Sequence, residues 1–344
     1  MNREHIYFFS LEDDKNKSRN EEKTKRQLTK IVNIDFYIEN EIKNVEKLKK
    51  VENIKSYCYI FESVEKMQIS EMESDVYNLK QMRKIKDDNN NILLKFENRR
   101  LIYLENYLKT LFSPRKYIFI LIDFYRQINC ALQILVKNNI VHNNISIHNI
   151  LVDKFEIPLL SNFKFSIDIS NYHIGDYIKH LFFSYDVSYL PRPPELHLLS
   201  YIISNKNESL SVYNIETIIH DCFTNNYLLQ TFGTKIVNQF KDDGLAYFKK
   251  YTNKPYEYIV QDIFQYYYTW DNYALSILYL QMLIGIHKKI QKNNKFIIIF
   301  MRLLVDNINI NPQKRLNLQD TIDKFNKLCI NIEKEYYIDL VNLL

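Results

Sequence analysis

The sequence predicts an α+β chain of two lobes, a small β-rich lobe with one main helix over residues 1–108 and a larger, mainly α-helical lobe over 109–344. Three observations carry that prediction. At 344 residues the chain can bury a substantial core without disulfides or a structural metal, and it has room for two lobes that share a cleft. Ahead of residue 108, aromatic and β-branched runs alternate with a single helical pattern. Beyond Pro114 the apolar residues recur mainly at helical spacing.

The elements follow in chain order. A short strand is expected at 6–11, followed by an almost wholly charged loop over about 11–27, too polar to pack. From Ile38, the apolar positions Ile42, Val45 and Leu48, then Val51 and Ile54, mark an amphipathic helix of about four turns. Glu41, Lys43, Glu46, Lys47, Lys49 and Lys50 are placed on its other face. Residues 57–64 read as a strand, with further strands near 67–72 and 100–104 and a polar turn at 87–91. The apolar stretch 117–138 is long enough for six turns, and 296–305 reads as a second buried helix.

Composition excludes several function classes. The net charge of +5 is spread along the chain and forms no basic stripe, so nucleic acid is not an expected partner. The stretch 117–136 is interrupted by Asp123, Arg126, Gln127 and Asn129, and 296–305 is too short for a bilayer, so no membrane span is expected. No apolar leader segment precedes Lys15, which argues against a signal peptide. Cys58, Cys130, Cys222 and Cys329 form no C-x-x-C pair, which leads to an expectation of reduced thiols, no zinc and an intracellular, cytoplasmic setting. The abundance of Tyr (27) and Phe (21) beside only 4 Gly is read as coding bias without functional meaning.

The decisive segment is Ile140-Val-His-Asn-Asn-Ile-Ser-Ile-His-Asn-Ile-Leu-Val-Asp153, followed by Ile157-Pro-Leu-Leu-Ser-Asn-Phe-Lys-Phe165. It resembles the catalytic loop and metal-binding loop of the protein kinase superfamily, H-R-D-x-x-x-x-N and D-F-G. His142, Asn144 and Asn149 fall on the His, base and metal-holding Asn positions, and Asn162-Phe163-Lys164 falls on D-F-G. Later landmarks follow in order. Arg192-Pro-Pro-Glu195 resembles the motif that closes the activation segment, Trp270-Asp-Asn-Tyr-Ala-Leu-Ser276 the start of the central helix, and Asn311-Pro-Gln-Lys-Arg315 the turn near the end of the fold.

The resemblance implies a bilobal kinase-like fold in which several residues are structural. Glu195 should form a buried ion pair with Arg315, Asp271 should accept from the backbone of the 142–149 loop, Phe163 should pack in the core, and His142 should pack and hydrogen-bond rather than move protons. It also implies what is missing. Asn144 cannot take a proton as Asp would, a loss that costs about 10² to 10⁴ in rate. Asn162 and Asn149 would offer a magnesium ion amide oxygens without charge. Asn143 and Ser146 replace Arg and Lys, and Lys164 replaces a glycine that permits positive φ. Nothing ahead of Gly175 can form a glycine-rich loop over phosphates. Lys30, in Gln27-Leu-Thr-Lys-Ile-Val32, is the best match to the nucleotide-binding lysine, with Glu41 as its partner, and for each a solvated surface charge is an equal reading.

Residues 197–268 exceed what the resembled fold needs and read as an insertion with helices around 215–229 and 256–268. With the surrounding phrasing, they are similar to the diverged kinase-like proteins of large DNA viruses, which implies host cytoplasm or virion. Three functions are implied. One is a pseudokinase that acts through a protein partner, with ATP and Mg bound weakly or not at all. The others are an atypical active Ser/Thr kinase, in which Asn149, another acidic residue such as Asp153 or Asp168, and the substrate itself supply what is missing, and a structural or virion-associated protein retaining only the fold.

Overall fold

A computed structural model describes residues 9–10, 28–67, 91–171, 175–206, 209–287 and 295–331. The expected charged loop at 11–27, the strand near 67–72 beyond Met67 itself, and the turn at 87–90 lie outside the described residues. The architecture is α+β, with small antiparallel sheets in the N-terminal part and a mostly helical C-terminal part.

The first sheet contains β1 (Phe9–Ser10), β2 (Leu28–Asn33), β3 (Phe61–Met67) and β4 (Asn91–Phe96) in the order β1-β2-β4-β3, with every pair antiparallel. Strand β4 is flanked on both sides, and its Ile92, Leu93 and Leu94 are all buried. A near-continuous apolar run is what a central strand requires.

Helix α1 (Phe36–Leu48) lies between β2 and β3 in the sequence. Asp35 caps it, the side chain accepting from the Ile38 amide at 2.8 Å, and Glu39 and Lys47 complement its dipole at the two ends. The helix is shorter than the apolar spacing suggests. Asn53 takes φ 57°, a left-handed conformation that asparagine tolerates, so Val51 and Ile54 pack beyond the helix end rather than on its next turn.

The strand expected at 57–64 begins later, at Phe61. Residues 57–59 instead reach across the molecule: the Tyr59 amide donates to the Leu160 carbonyl at 2.8 Å, and the Leu160 amide to the Tyr57 carbonyl at 2.9 Å. Strand β5 (Leu101–Tyr103) likewise joins the later part of the chain, pairing with β7 rather than with the first sheet.

Helix α2 (Leu104–Lys109) leads to α3 (Pro114–Lys137). Ser113 caps α3 and Pro114 opens it, a position where the missing N–H costs nothing. Its length and mean hydropathy would also suffice to cross a bilayer. Here its stripe of Leu121, Phe124, Tyr125, Ile128, Leu132 and Leu135 is buried in the core. Strands β6 (Ile140–Val141), β7 (Ile150–Asp153), β8 (Pro158–Leu160) and β9 (Ile167–Asp168) follow, β6 pairing with β9 and β7 with β8.

The remainder is helical: α4 (Asp176–Leu181), α5 (Pro194–Asn205), α6 (Val212–Asn225), α7 (Tyr227–Gln230), α8 (Thr234–Phe248), α9 (Tyr256–Phe264), α10 (Trp270–His287), α11 (Lys295–Asn307) and α12 (Leu318–Asn331). Tyr125 of α3 packs its ring against Tyr279 of α10, Phe300 of α11 and Phe325 of α12, with centroids 4.8, 5.0 and 4.7 Å away. Such edge-on contacts fasten four helices at one point.

Between Glu195 and Asp271 the structure adds α8, which the sequence reading left without an element. Its Asp-Asp-Gly stretch has poor helix propensity, yet Gly244 is needed there. A β-carbon on Gly244 would come within 2.5 Å of Ile310, so the glycine permits close approach of the helix to the 308–315 turn. The second expected helix ends at Phe264, and Tyr267–Thr269 form a separate 3-10 turn.

Glu195, in the first turn of α5, meets Arg315 in a two-pronged ion pair of 2.6 and 2.7 Å, both side chains fully buried. The guanidinium also donates to the Asn309 carbonyl at 2.7 Å and lies over the Tyr273 ring at 4.9 Å. Both buried charges are thus answered. Removing one partner strands the other, and Arg315→Met alone is expected to cost about 3–5 kcal/mol in urea denaturation. The double variant Glu195→Leu/Arg315→Met is expected to recover part of that loss, since no orphan charge remains.

Candidate functional site

The two ladders decide where the candidate residues meet. Because β6 pairs with β9 and β7 with β8, the loops 142–149 and 161–166 are held side by side. The first loop is fixed from below by Asp271 at the start of α10. Its Oδ2 accepts from the His142 amide at 2.7 Å and its Oδ1 from the Asn143 amide at 2.8 Å. Asn143 turns the chain at φ 56°, the conformation that lets two successive N–H groups converge on one carboxylate. Burial pushes the Asp271 carboxyl up to about 6, while the two N–H groups pull it back. At neutral pH it is an anion held by backbone dipoles.

His142 is fully buried. Its Nε2 lies 3.0 Å from the Ser161 carbonyl, a contact that calls for the Nε2–H tautomer, and its ring meets Phe163 edge-on at 4.8 Å. Burial lowers its pKa to about 4, against the opposing pull of Ser161. It is a neutral structural histidine linking the two loops.

Above this base lies a chain of amides. Asn162 Nδ2 donates to Asn149 Oδ1 at 3.0 Å, and Asn149 Nδ2 donates to the Asn144 carbonyl at 2.9 Å and to Ser146 Oγ at 3.1 Å. The Tyr189 hydroxyl then donates to Asn144 Oδ1 at 2.8 Å. Asn162 sits at φ 66°, and its buried Oδ1 has no hydrogen-bond partner. The two positions where the resembled chemistry wants acids, 144 and 162, are therefore joined through Asn149 into one neutral network.

Helix α1 is clamped onto the second loop by polar side chains. Asn40 Nδ2 donates to the Lys164 and Ser166 carbonyls, both at 2.8 Å, and Asn44 Nδ2 donates to Ser166 at 3.0 Å. Glu41 Oε1 accepts from the Phe163 amide at 3.0 Å, Tyr177 donates to Asn40 Oδ1, and Lys47 pairs with Asp168. Glu41 was expected on the solvated face of α1; it is 8% exposed. The helix turns Asn40, Glu41 and Asn44 inward because the loop's carbonyls and amide need partners there. Lys30 lies half-buried on β2, in register with Leu94.

Sequence reading missed Asn40, Asn44, Tyr177 and Tyr189. A signal existed for the first two: four residues apart, they share the stripe of Glu41, Val45 and Leu48. None marked the tyrosines. The two acids offered as substitutes are engaged elsewhere. Asp153 Oδ1 accepts from the Phe155 and Ile157 amides in the β7–β8 turn. Asp168 is held below its usual pKa because Lys47, Ser170 and Asn171 outweigh the effect of burial.

The amide set does not fit a magnesium ion, which prefers carboxylate and phosphate oxygens. Asn149 Oδ1 is already bonded to Asn162, and no carboxylate stands at 144, 149 or 162. Among the described residues, no group of three His, Cys, Asp or Glu could hold a metal ion. All four cysteines are free thiols. No family model matches the chain, and no curated protein matches its sequence.

Two tests follow. Asn44→Ala removes one of the two side-chain amides that donate to the Ser166 carbonyl, which keeps Asn40, and is expected to cost about 0.5–1.5 kcal/mol in denaturant unfolding, the net worth of one hydrogen bond. Acidification also has a definite sign. His142 and His197, held by burial at about 4 and about 3, bind protons more readily unfolded, so their contribution is lost as pH falls below about 6.5. Asp271, raised to about 6, acts the opposite way over an overlapping window. The two histidines are shifted further than the two raised carboxyls, Asp271 and Asp306, so Tm is expected to drop between pH 6.5 and 4, and less steeply in His197→Gln.

Proposed function

We propose that this chain is a pseudokinase, a protein-kinase-like scaffold that acts by binding a protein partner and transfers little or no phosphate. One observation carries the reading: the residues that would hold the loops together are paired and buried, while the positions that would handle phosphate form a neutral amide network. Asp271 with the 142–143 backbone and Glu195 with Arg315 support the first half. Asn144, Asn149 and Asn162, hydrogen-bonded in sequence with no acid among them, support the second.

Phosphoryl transfer depends on metal ions that neutralise the phosphates and on an acidic group that receives the substrate proton. On this reading both are lost, and ATP binds weakly or not at all, without help from magnesium. The engagement of Asp153 and Asp168 in their own local bonds weighs against an atypical active kinase. The partner is a protein rather than nucleic acid or a bilayer, and the four free thiols suit an intracellular setting.

Thermal shift with millimolar ATP, with and without magnesium, tests the binding half, since a ligand selective for the folded state raises Tm. The expected result is a small shift or none, unchanged by magnesium. Labelled ATP with generic protein substrates tests the other half. Turnover is expected to be absent, and robust turnover abolished by Asn149→Ala would overturn the reading.

A further inference from the structure

Helix α9 buries Ile259, Val260, Ile263 and Phe264 and turns its other side to water. That side carries Tyr258, Gln261 and Gln265, all exposed. Gln265 keeps a helical conformation at φ −63° and ψ −19°, and the 3-10 turn Tyr267–Thr269 adds the exposed Tyr268. At helical spacing the four positions lie within about a quarter-turn of one another. Tyr258 is 44% and Tyr268 36% exposed. Tyrosine rings and amides on one open stripe are the composition of a contact surface.

The stripe is also neutral. Asp262 is the one charged residue in 258–268, and it is turned aside: Lys250 and the Tyr251 hydroxyl both donate to its Oδ2, at 2.6 and 2.7 Å. Lys254 closes one end, its ammonium 5.5 Å from the Tyr258 ring centroid. With no charge along its length, the stripe has nothing to recruit an acidic or a basic ligand. It matches a surface as neutral as itself.

The spacing is symmetric. Positions 258, 261, 265 and 268 are three, four and three apart, and the order Tyr, Gln, Gln, Tyr reads the same in both directions. A two-fold axis between Gln261 and Gln265 lays an antiparallel copy onto the stripe. Tyr258 then meets Tyr268 of the other copy, and Gln261 meets Gln265 of the other copy, each contact being made twice. Two glutamine amides can exchange hydrogen bonds reciprocally, and tyrosine rings gain from edge or offset packing.

We propose that α9 is a self-association surface, on which two copies of this chain pair antiparallel through Tyr258, Gln261, Gln265 and Tyr268. The stripe is about 16 Å long, too short to bury the roughly 1,600 Å² of a standard stable interface. The dimer is therefore weak and reversible, with a Kd on the order of 10⁻⁴ M. The surface lies outside the 142–166 loops and does not rest on the kinase-like reading.

Sedimentation equilibrium of the full chain, from about 10 to about 500 µM to bracket that Kd, tests the pairing. Wild type is expected to move from monomer towards dimer. Gln261→Lys/Gln265→Lys, which sets like charges at both amide contacts, is expected to weaken association at least tenfold with Tm unchanged. Gln261→Lys/Gln265→Glu sets Lys against Glu at both contacts in the antiparallel arrangement alone. It is expected to associate several-fold more tightly than wild type at low salt and to lose that gain at high salt. Tyr258→Ala/Tyr268→Ala is expected to remain monomeric. A wild type that stays monomeric throughout, dimerisation unaffected by the two lysines, or a Lys/Glu variant as weak as the Lys/Lys one would each overturn the proposal.

Discussion

The site depends on one buried carboxylate. Asp271 receives the amides of His142 and Asn143 and so decides where the 142–149 loop begins. That single constraint sets the direction in which the chain enters β7, and through the β7–β8 hairpin the placement of Asn162 opposite Asn149. A charge at this depth is tolerable because two N–H dipoles are aimed at it and because α10, packed on nearly all sides, cannot shift. The raised pKa of Asp271 shows that its desolvation is only partly offset.

The second fixed point is the clamp of α1. An amphipathic helix usually turns its apolar stripe inward and its polar residues to water. Here the inward face mixes Ile38, Val45 and Leu48 with Asn40, Glu41 and Asn44. The polar residues lie over the 163–166 stretch, whose carbonyls and amide have no strand beside them. Side-chain amides take the role that a neighbouring strand would otherwise have. Helix α1 is thus seated by fixed hydrogen bonds to the backbone of the loop.

Much of this layout was legible in the sequence, and the reasons for the failures are physical. Glu195, Asp271 and Arg315 were legible only through the motifs by which the sequence resembles a kinase, and each buried charge has the partner that the resemblance implied. The long helix at 114–137 followed from its apolar periodicity. Helix α8 was not legible, since a glycine selected for its approach to Ile310 lowers helix propensity. Glu41 was misplaced because sequence shows a charge and not what it faces. The shortened α1 and the displaced start of β3 share a cause, an asparagine-initiated turn at 53 and a bridge from 57–59 to Leu160. Asparagine also shapes the backbone: among the described residues, five of the seven non-glycine residues at positive φ are asparagines, including Asn143 and Asn162.

The neutrality of the Asn144, Asn149 and Asn162 network also has a kinetic side. A cleft lined with carboxylates and a cation projects a field that draws charged ligands in and raises their encounter rate. An amide network projects almost none beyond contact distance. A molecule that settles here arrives by unguided diffusion, at the roughly 10⁵–10⁶ M⁻¹s⁻¹ typical of unsteered association. Its arrival is then nearly indifferent to ionic strength, and selectivity must be exercised after contact, through the time a visitor stays.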